Sequence, residues 1–243
     1  MNGRKWAVLV GMIGVLALLI WMGGRLANRA EPVSSELQVE LAPGQKLAAL
    51  TFDDGPHPEH TRTLLDGLKE RGIKATFFLV GSQLAYAPEL VERMAREGHQ
   101  IGVHTLDHVP VEGLEHRQFL HQVEDLRREL YRLVGERELW LRPPYGQLDE
   151  RTPSWSDGPV ILWSVDPEDW RGEDADRVAR HIIDHTRDGD IVLAHDIYPT
   201  TVEGVLRAAD RLREQGFAFV TVEQLLELRG IVPQSGQVYR CAP

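Results

Sequence analysis

Five short segments carry acids, imidazoles or a guanidinium that could act together: Asp53-Asp54-Gly55-Pro56, His104-Thr105-Leu106-Asp107-His108, Arg142, Asp166 with Asp169, and His195-Asp196. Two imidazoles four residues apart reach one metal ion from a helical turn or a tight loop, and either acid of the Asp53-Asp54 pair completes a His, His, Asp set. Three protein ligands leave positions open for water and substrate, the pattern of a catalytic rather than a structural zinc site. Each segment is weaker alone. Asp53-Asp54-Gly55-Pro56 reads equally as a turn. With ten histidines, close pairs also arise by chance, as at His57 and His60, His116 and His121, and His181 and His185. The last of these falls inside an amphipathic stretch and reads as a solvated or partly buried face.

The elements that would position these groups follow a strand-then-helix rhythm. Apolar β-rich runs are expected at 47–52, 73–80, 100–104, 138–141, 160–165, 191–194 and 217–220. Apolar residues recur at helical spacing over 63–71, 88–97, 115–134, 175–187, 202–215 and 222–228, and Gly72, Gly98, Gly135, Gly189 and Gly216 read as helix stops. Strands alternating with helices imply parallel pairing in one α/β domain. About seven units in that length fit a small (β/α) barrel better than a wide open sheet. On either plan the five segments end or follow strands, and the carboxyl ends of parallel strands are where ligands and catalytic groups gather.

The head of the chain is a different object from its body. Of 27 bases and 37 acids in 243 residues, residues 1–30 hold four bases and no acid, so the remainder carries 23 bases against 37 acids, a net charge of −14. So acidic a body argues against a nucleic-acid partner, which would need clustered Lys and Arg. From Trp6 to Gly24 run 19 residues without a charge, flanked by Arg4 and Lys5 on one side and Arg25 on the other. That is close to the ~20 apolar residues a membrane-spanning helix needs. The segment lacks a good small-x-small cleavage site, so an uncleaved signal anchor is expected over residues 1–30, spanning the membrane at about 6–24, with a cleaved signal peptide as the alternative. The basic N-terminus favours a single pass with the body outside the cytoplasm, and Trp6 and Trp21 lie where interfacial aromatics anchor. A linker at 31–45, a catalytic domain at 46–231 and a frayed tail at 232–243 complete the organisation. The single cysteine, Cys241, excludes an internal disulfide and reads as a free thiol in that tail.

Thr51-Phe52-Asp53-Asp54-Gly55-Pro56, His104-Thr105-x-x-His108, Arg142-Pro143-Pro144-Tyr145-Gly146, Asp166-x-x-Asp169-Trp170 and Leu193-x-His195-Asp196, in that order, resemble the five motifs of the polysaccharide deacetylases (carbohydrate esterase family 4, NodB-homology domain). The resemblance covers about residues 46–230. Two small departures are Val103 where many relatives carry Asn and Tyr198 where many carry His. It implies a distorted (β/α) barrel with fewer than eight complete units, in agreement with the seven strands above.

The resemblance also implies roles. Asp54, His104 and His108 would hold one divalent metal, zinc first, with cobalt, nickel or iron also compatible. Asp53 would be the general base, oriented by Arg142. His195 would be the general acid, paired with Asp169, and the Tyr145 backbone N–H would face the oxyanion. Leu193 and Trp170 would wall the acetyl methyl group, with Pro144 also among the substrate contacts. Asp166 has no separate role and reads as a turn residue before Pro167.

The expected activity is metal-dependent removal of N-acetyl groups from N-acetylglucosamine in a cell-envelope polysaccharide, peptidoglycan first, because an anchor tethers the site near the membrane. Alternatives within the class are chitin or chitooligosaccharide deacetylation, N-acetylmuramic acid deacetylation and acetylxylan ester cleavage. A non-catalytic glycan-binding envelope protein is disfavoured, since base, ligands and acid are all present. An acetylated glycan and the membrane are the expected partners, with neither nucleic acid nor a protein partner.

Overall fold

The computed structural model describes residues 42, 44–172 and 174–243. The expected anchor at 6–24 and nearly all of the 31–45 linker lie outside the described residues. No helix among the described residues is long and apolar enough to cross a membrane.

The strands are β1 (Lys46–Asp53), β2 (Thr76–Leu79), β3 (Gln100–Val103), β4 (Val160–Ile161), β5 (Asp190–His195), β6 (Phe217–Phe219) and β7 (Val238–Tyr239). The helices are α1 (His60–Glu70), α2 (Gly81–Leu84), α3 (Pro88–Arg96), α4 (His116–Val134), α5 (Thr152–Trp155), α6 (Ala175–His185), α7 (Pro199–Glu214) and α8 (Val222–Leu228). β1 is the central strand. Its sequence KLAALTFD is buried at every position but the first, because helices cover a parallel sheet on its outer face while the barrel interior fills the other. β1 pairs in parallel with β5 along one edge. Along the other it pairs with β2 near its C-terminal end and with β6 near its N-terminal end.

β3 continues from β2, and the ring is completed by single parallel bridges: Val103 to Leu141, Leu141 to Val160, and Val165 to Val192 in β5. The architecture is therefore a closed α/β barrel in one domain, but two of the expected strands, 138–141 and 160–165, contribute only a bridge or a two-residue strand. The long helix α4 shows why the periodic stretches fold as read. Phe119, Val123, Leu126 and Leu130 line one buried stripe, and Glu115 with Gln118 forms a capping box at its start.

Residues 232–243 correct the expected frayed tail. β7 pairs with β4, with Val160 N–H donating to Gln237 O at 2.9 Å and Leu162 N–H to Tyr239 O at 2.8 Å. Ala242 N–H donates to Gly189 O at 2.7 Å, Ala242 is fully buried, and Cys241 is half-buried beside Asp190. Gly189, read as a helix stop, serves this contact instead. Its φ is +91°, and any side chain there would collide with the Ala242 carbonyl. Since 232–243 props the 160–162 segment, deleting these residues should lower stability by on the order of 2–5 kcal/mol from the lost backbone bonds. The drop in thermal midpoint would be about 2–4 °C per kcal/mol for a chain of this size. An unchanged melt would show that the segment contributes nothing.

Candidate active site

The C-terminal ends of the barrel strands open into a cleft of about 430 Å³ lined by Asp53, Asp54, His104, His108, Tyr145, Trp163, Asp166, Trp170, Leu193, His195 and Tyr198. Asp53 ends β1. His104 follows β3, where its backbone N–H donates to Leu79 O of β2 at 2.9 Å. His108 is carried by the loop after it, which Gln122 of α4 sews down through Asp107 and the Leu106 N–H. His195 ends β5. Non-glycine residues at positive φ concentrate on this rim: Asp54, Thr105, His108, Tyr145 and Glu168. Such backbone persists only where surrounding contacts fix it, and it marks preorganised sites.

One end of the cleft is built on a buried cation. Arg142 is fully shielded, and all three of its guanidinium nitrogens donate: Nη1 to Asp53 Oδ1 at 2.8 Å and to Thr51 Oγ1 at 2.7 Å, Nη2 to Leu162 O at 3.0 Å and Nε to Ile161 O at 3.3 Å. Its guanidinium stacks 4.1 Å from the Phe78 ring centre and 5.6 Å from that of Trp163. Burial lowers the Arg142 pKa from its ordinary value while the Asp53 charge opposes the shift.

The centre holds the Asp54, His104 and His108 triad, whose ligand atoms all lie within 4.8 Å of one another. The Arg142 carbonyl, 2.7 Å from His104 Nδ1, fixes the tautomer so that Nε2 faces the cleft. Asp54 Oδ1 stands 3.1 Å from His108 Nε2 and 3.5 Å from His104 Nε2, yet it is buried and hydrogen-bonded to neither. An orphaned carboxylate oxygen facing two imidazole nitrogens is a donor set that fits a divalent cation. Burial pushes His104 below its ordinary pKa against the pull of Asp53 and Asp54, which leaves the neutral ring a metal requires. Burial works against the Asp54 charge too, but the facing imidazoles, His108 foremost, hold its carboxyl below the usual range.

At the far side His195 Nδ1 meets Asp169 Oδ1 at 2.9 Å. The other oxygen of Asp169 accepts the His195 backbone N–H at 2.8 Å and the Thr201 hydroxyl at 2.9 Å. Burial disfavours charge on His195, but the hydrogen bond to Asp169 and the charges of Asp169, Asp53 and Asp54 outweigh it and raise the pKa to about 9. Leu193 and Trp170 line the cleft wall, Trp170 half exposed.

Of the sequence-predicted residues, Asp53, Asp54, His104, His108, Tyr145, Trp170, Leu193 and His195 line one cleft, and Arg142 and Asp169 lie behind it, holding Asp53 and His195. Pro144 is buried in the 144–146 turn, where Tyr145 is the exposed residue, and does not line the cleft. Asp166 does line it, while its Oδ1 also accepts the Glu168 N–H at 2.8 Å, the turn bond expected of it. His57 and His60 stack on each other outside the lining, and His57 Nδ1 accepts the N–H groups of Glu59 and His60. Sequence reasoning missed Trp163 and assigned no side-chain role to Tyr198, both of which line the cleft, and it overlooked Thr201, Thr61 and Gln122. Trp163 stands three residues before Asp166 in the segment that follows β4; the other residues carry no local signal.

Arg142→Met should destabilise the fold by about 3–5 kcal/mol, because it strands Asp53 as an unpaired buried charge. Adding Asp53→Asn should recover part of that loss in a urea melt. A double variant as unstable as the single would show that the pair is not the source.

The sequence profile described as polysaccharide deacetylase matches residues 40–156. The chain is 37% identical over 199 residues to the peptidoglycan-N-acetylmuramic acid deacetylase PdaC of Bacillus subtilis, covering 82% of this chain and 43% of that protein. It is 37% identical over 188 residues to the peptidoglycan-N-acetylglucosamine deacetylase PgdA of Listeria monocytogenes, covering 77% of this chain and 40% of that protein. It therefore spans less than half the length of both relatives. Among solved structures, the family 4 acetyl xylan esterase of Clostridium thermocellum in complex with a cobalt ion superposes with a TM-score of 0.77 at 29% identity, covering 82% of this chain and all of that one. The agreement of profile, relatives and fold shows that this chain belongs to the polysaccharide deacetylase family.

Proposed function

We propose that the chain hydrolyses the N-acetyl group of N-acetylglucosamine residues in peptidoglycan, releasing acetate. The observation that carries this reading is the Asp54, His104 and His108 set flanked by an Arg142-held carboxylate on one side and an Asp169-held imidazole on the other. A divalent cation on those three residues, zinc first, would polarise the acetyl carbonyl and lower the pKa of water towards ~7. Asp53, aimed by the hydrogen bond from Arg142, accepts the proton of the attacking water. The Tyr145 backbone N–H, presented by a left-handed residue on the rim, donates to the oxyanion that forms on the acetyl carbon. His195, charged and held by Asp169, donates its proton to the departing sugar nitrogen, and the acetyl methyl rests between Leu193 and Trp170.

The names of the two relatives favour peptidoglycan as the polymer and divide between its two sugars; analysis of the deacetylated muropeptides decides between N-acetylglucosamine and N-acetylmuramic acid. The uncharged stretch Trp6–Gly24 between basic flanks supports a single-pass anchor that holds the domain against the outer face of the membrane.

Incubated with purified peptidoglycan and with chitin oligomers, the protein should release acetate from peptidoglycan in proportion to added zinc or cobalt, and dipicolinate should abolish the release. Release from chitin alone would overturn the envelope reading, and release indifferent to chelation would overturn the metal. Asp53→Asn and His195→Ala should each lower kcat by about 10²-fold or more with metal content unchanged. Because His195 donates only when charged and its pKa is raised to about 9, turnover should persist through neutral pH and fall as pH rises towards that value, sooner when a cation sits nearby. Asp169→Asn removes the charge and weakens the bond that raise that pKa, so the alkaline limb of the pH–rate profile should move to lower pH; an unmoved limb would free His195 from the role.

A further inference from the structure

One buried acid has no part in that chemistry. Asp196 follows His195 at the end of β5 and is completely shielded from solvent. Its Oδ2 accepts the hydroxyl of Thr61, also fully buried, and Thr61 Oγ1 in turn accepts the backbone N–H of His57 at 2.8 Å. Its Oδ1 makes no hydrogen bond and lies directly under Gly55, where an added methyl would stand 2.5 Å from it. The carboxyl thus touches the turn immediately after Asp53 and Asp54 and, through one hydroxyl, holds the end of that turn at His57. Just after β2, the Val80 N–H donates to Gly55 O at 3.1 Å. Asp54, between β1 and these anchors, has a φ of 75°, a conformation an L-residue leaves unless its neighbours fix it.

We propose that Asp196 and Thr61 are positioning residues: together they clamp the Asp53–His57 turn from beneath and hold Asp54 where it meets His104 and His108. An acid suits the place because it is flat enough to lie under a glycine and still accepts from Thr61, while an apolar side chain would leave the buried hydroxyl without an acceptor. The link to catalysis rests on the deacetylase reading, whereas the link to metal affinity stands on the geometry of the triad alone. Partners that orient a ligand from behind typically govern metal affinity or activity by 10–100-fold when removed.

The test uses Thr61→Val, which keeps the side chain's shape and deletes the hydroxyl, beside Thr61→Ser, which keeps the hydroxyl. Cobalt(II) titrated into metal-stripped full-length protein, followed by its visible absorption, reads the triad whether or not turnover occurs. The valine variant should bind cobalt about 10–100-fold more weakly and lose a similar factor in kcat per folded molecule, with KM nearly unchanged and the serine variant restoring both. Asp196→Leu should reproduce the loss, and the Thr61→Val, Asp196→Leu double variant should be no worse than the poorer single, because both break one chain of contacts. Wild-type cobalt affinity in the valine variant, or additive losses in the double, would overturn the clamp. If the valine variant does not fold, Gly55→Ala strikes the same contact from the turn side with Thr61 and Asp196 intact; weakened cobalt binding supports the clamp and unchanged binding refutes it. A wild-type protein that releases no acetate from any glycan would refute the deacetylase reading and leave the cobalt result to decide the clamp.

Discussion

The buried ion pair between Arg142 and Asp53 is the constraint on which the rest of the site depends. A guanidinium without solvent is tolerable only if its donors are satisfied, and satisfying them draws in Thr51 and Asp53 of β1 together with the carbonyls of Ile161 and Leu162. Those carbonyls belong to the stretch where the barrel has almost no continuous pairing, joined by the single bridges at Leu141 and Val165. The cation therefore ties together the weakest part of the ring. The same residue orients the triad, since its carbonyl faces His104 Nδ1. One side chain and its own backbone thus couple barrel closure, the placement of the proposed base and the tautomer of a ligand.

Stiffness on the rim comes from a second source. The left-handed residues Asp54, Thr105, His108, Tyr145 and Glu168 belong to four segments that surround the cleft. Each costs backbone energy that must be offset by contacts made nearby. Buried hydrogen bonds supply them: Gln122 beneath the His104–His108 loop, Thr61 and Asp196 beneath the Asp54 turn, and Thr201 beside Asp169. Gln122, Thr61 and Thr201 come from helices α4, α1 and α7, so the outer layer of the barrel does more than cover the strands. It fixes strained loops in the single arrangement that brings their side chains together.

The unequal legibility of the sequence follows from the same physics. The chemistry-bearing residues were readable because each ends or follows an apolar run, and the carboxyl ends of parallel strands share one rim. The supporting residues were not. Thr61 and Asp196 meet across 135 positions of sequence, and a threonine in the first turn of a helix looks the same whether it faces water or a buried acid. Residues 232–243 escaped for another reason. β7 is two half-buried residues held by backbone bonds to 160–162, so no apolar periodicity announces it. Pro144 was misplaced because a motif names neighbours in sequence, and the turn it sits in exposes only Tyr145.

Charge gives the cleft its direction. A body with a net charge of −14 would be expected to fill a shared cleft with mutually repelling carboxylates, yet each acid has a distinct partner. Asp53 faces a permanent cation in Arg142, and Asp169 faces an imidazole that it keeps charged. Asp196 is deeply buried and pushed up to about 7, burial being the main cause and the Asp54 charge adding to it against the Thr61 hydroxyl. Only Asp54 presents a buried oxygen to two imidazole nitrogens without a hydrogen bond. Within the cleft lining, the local electrostatics therefore direct an unsatisfied carboxylate oxygen at a point between a held base and a held acid. That point is where a divalent cation would offset that oxygen's charge and where an acetyl carbonyl, approaching between Leu193 and Trp170, would find its electrophile.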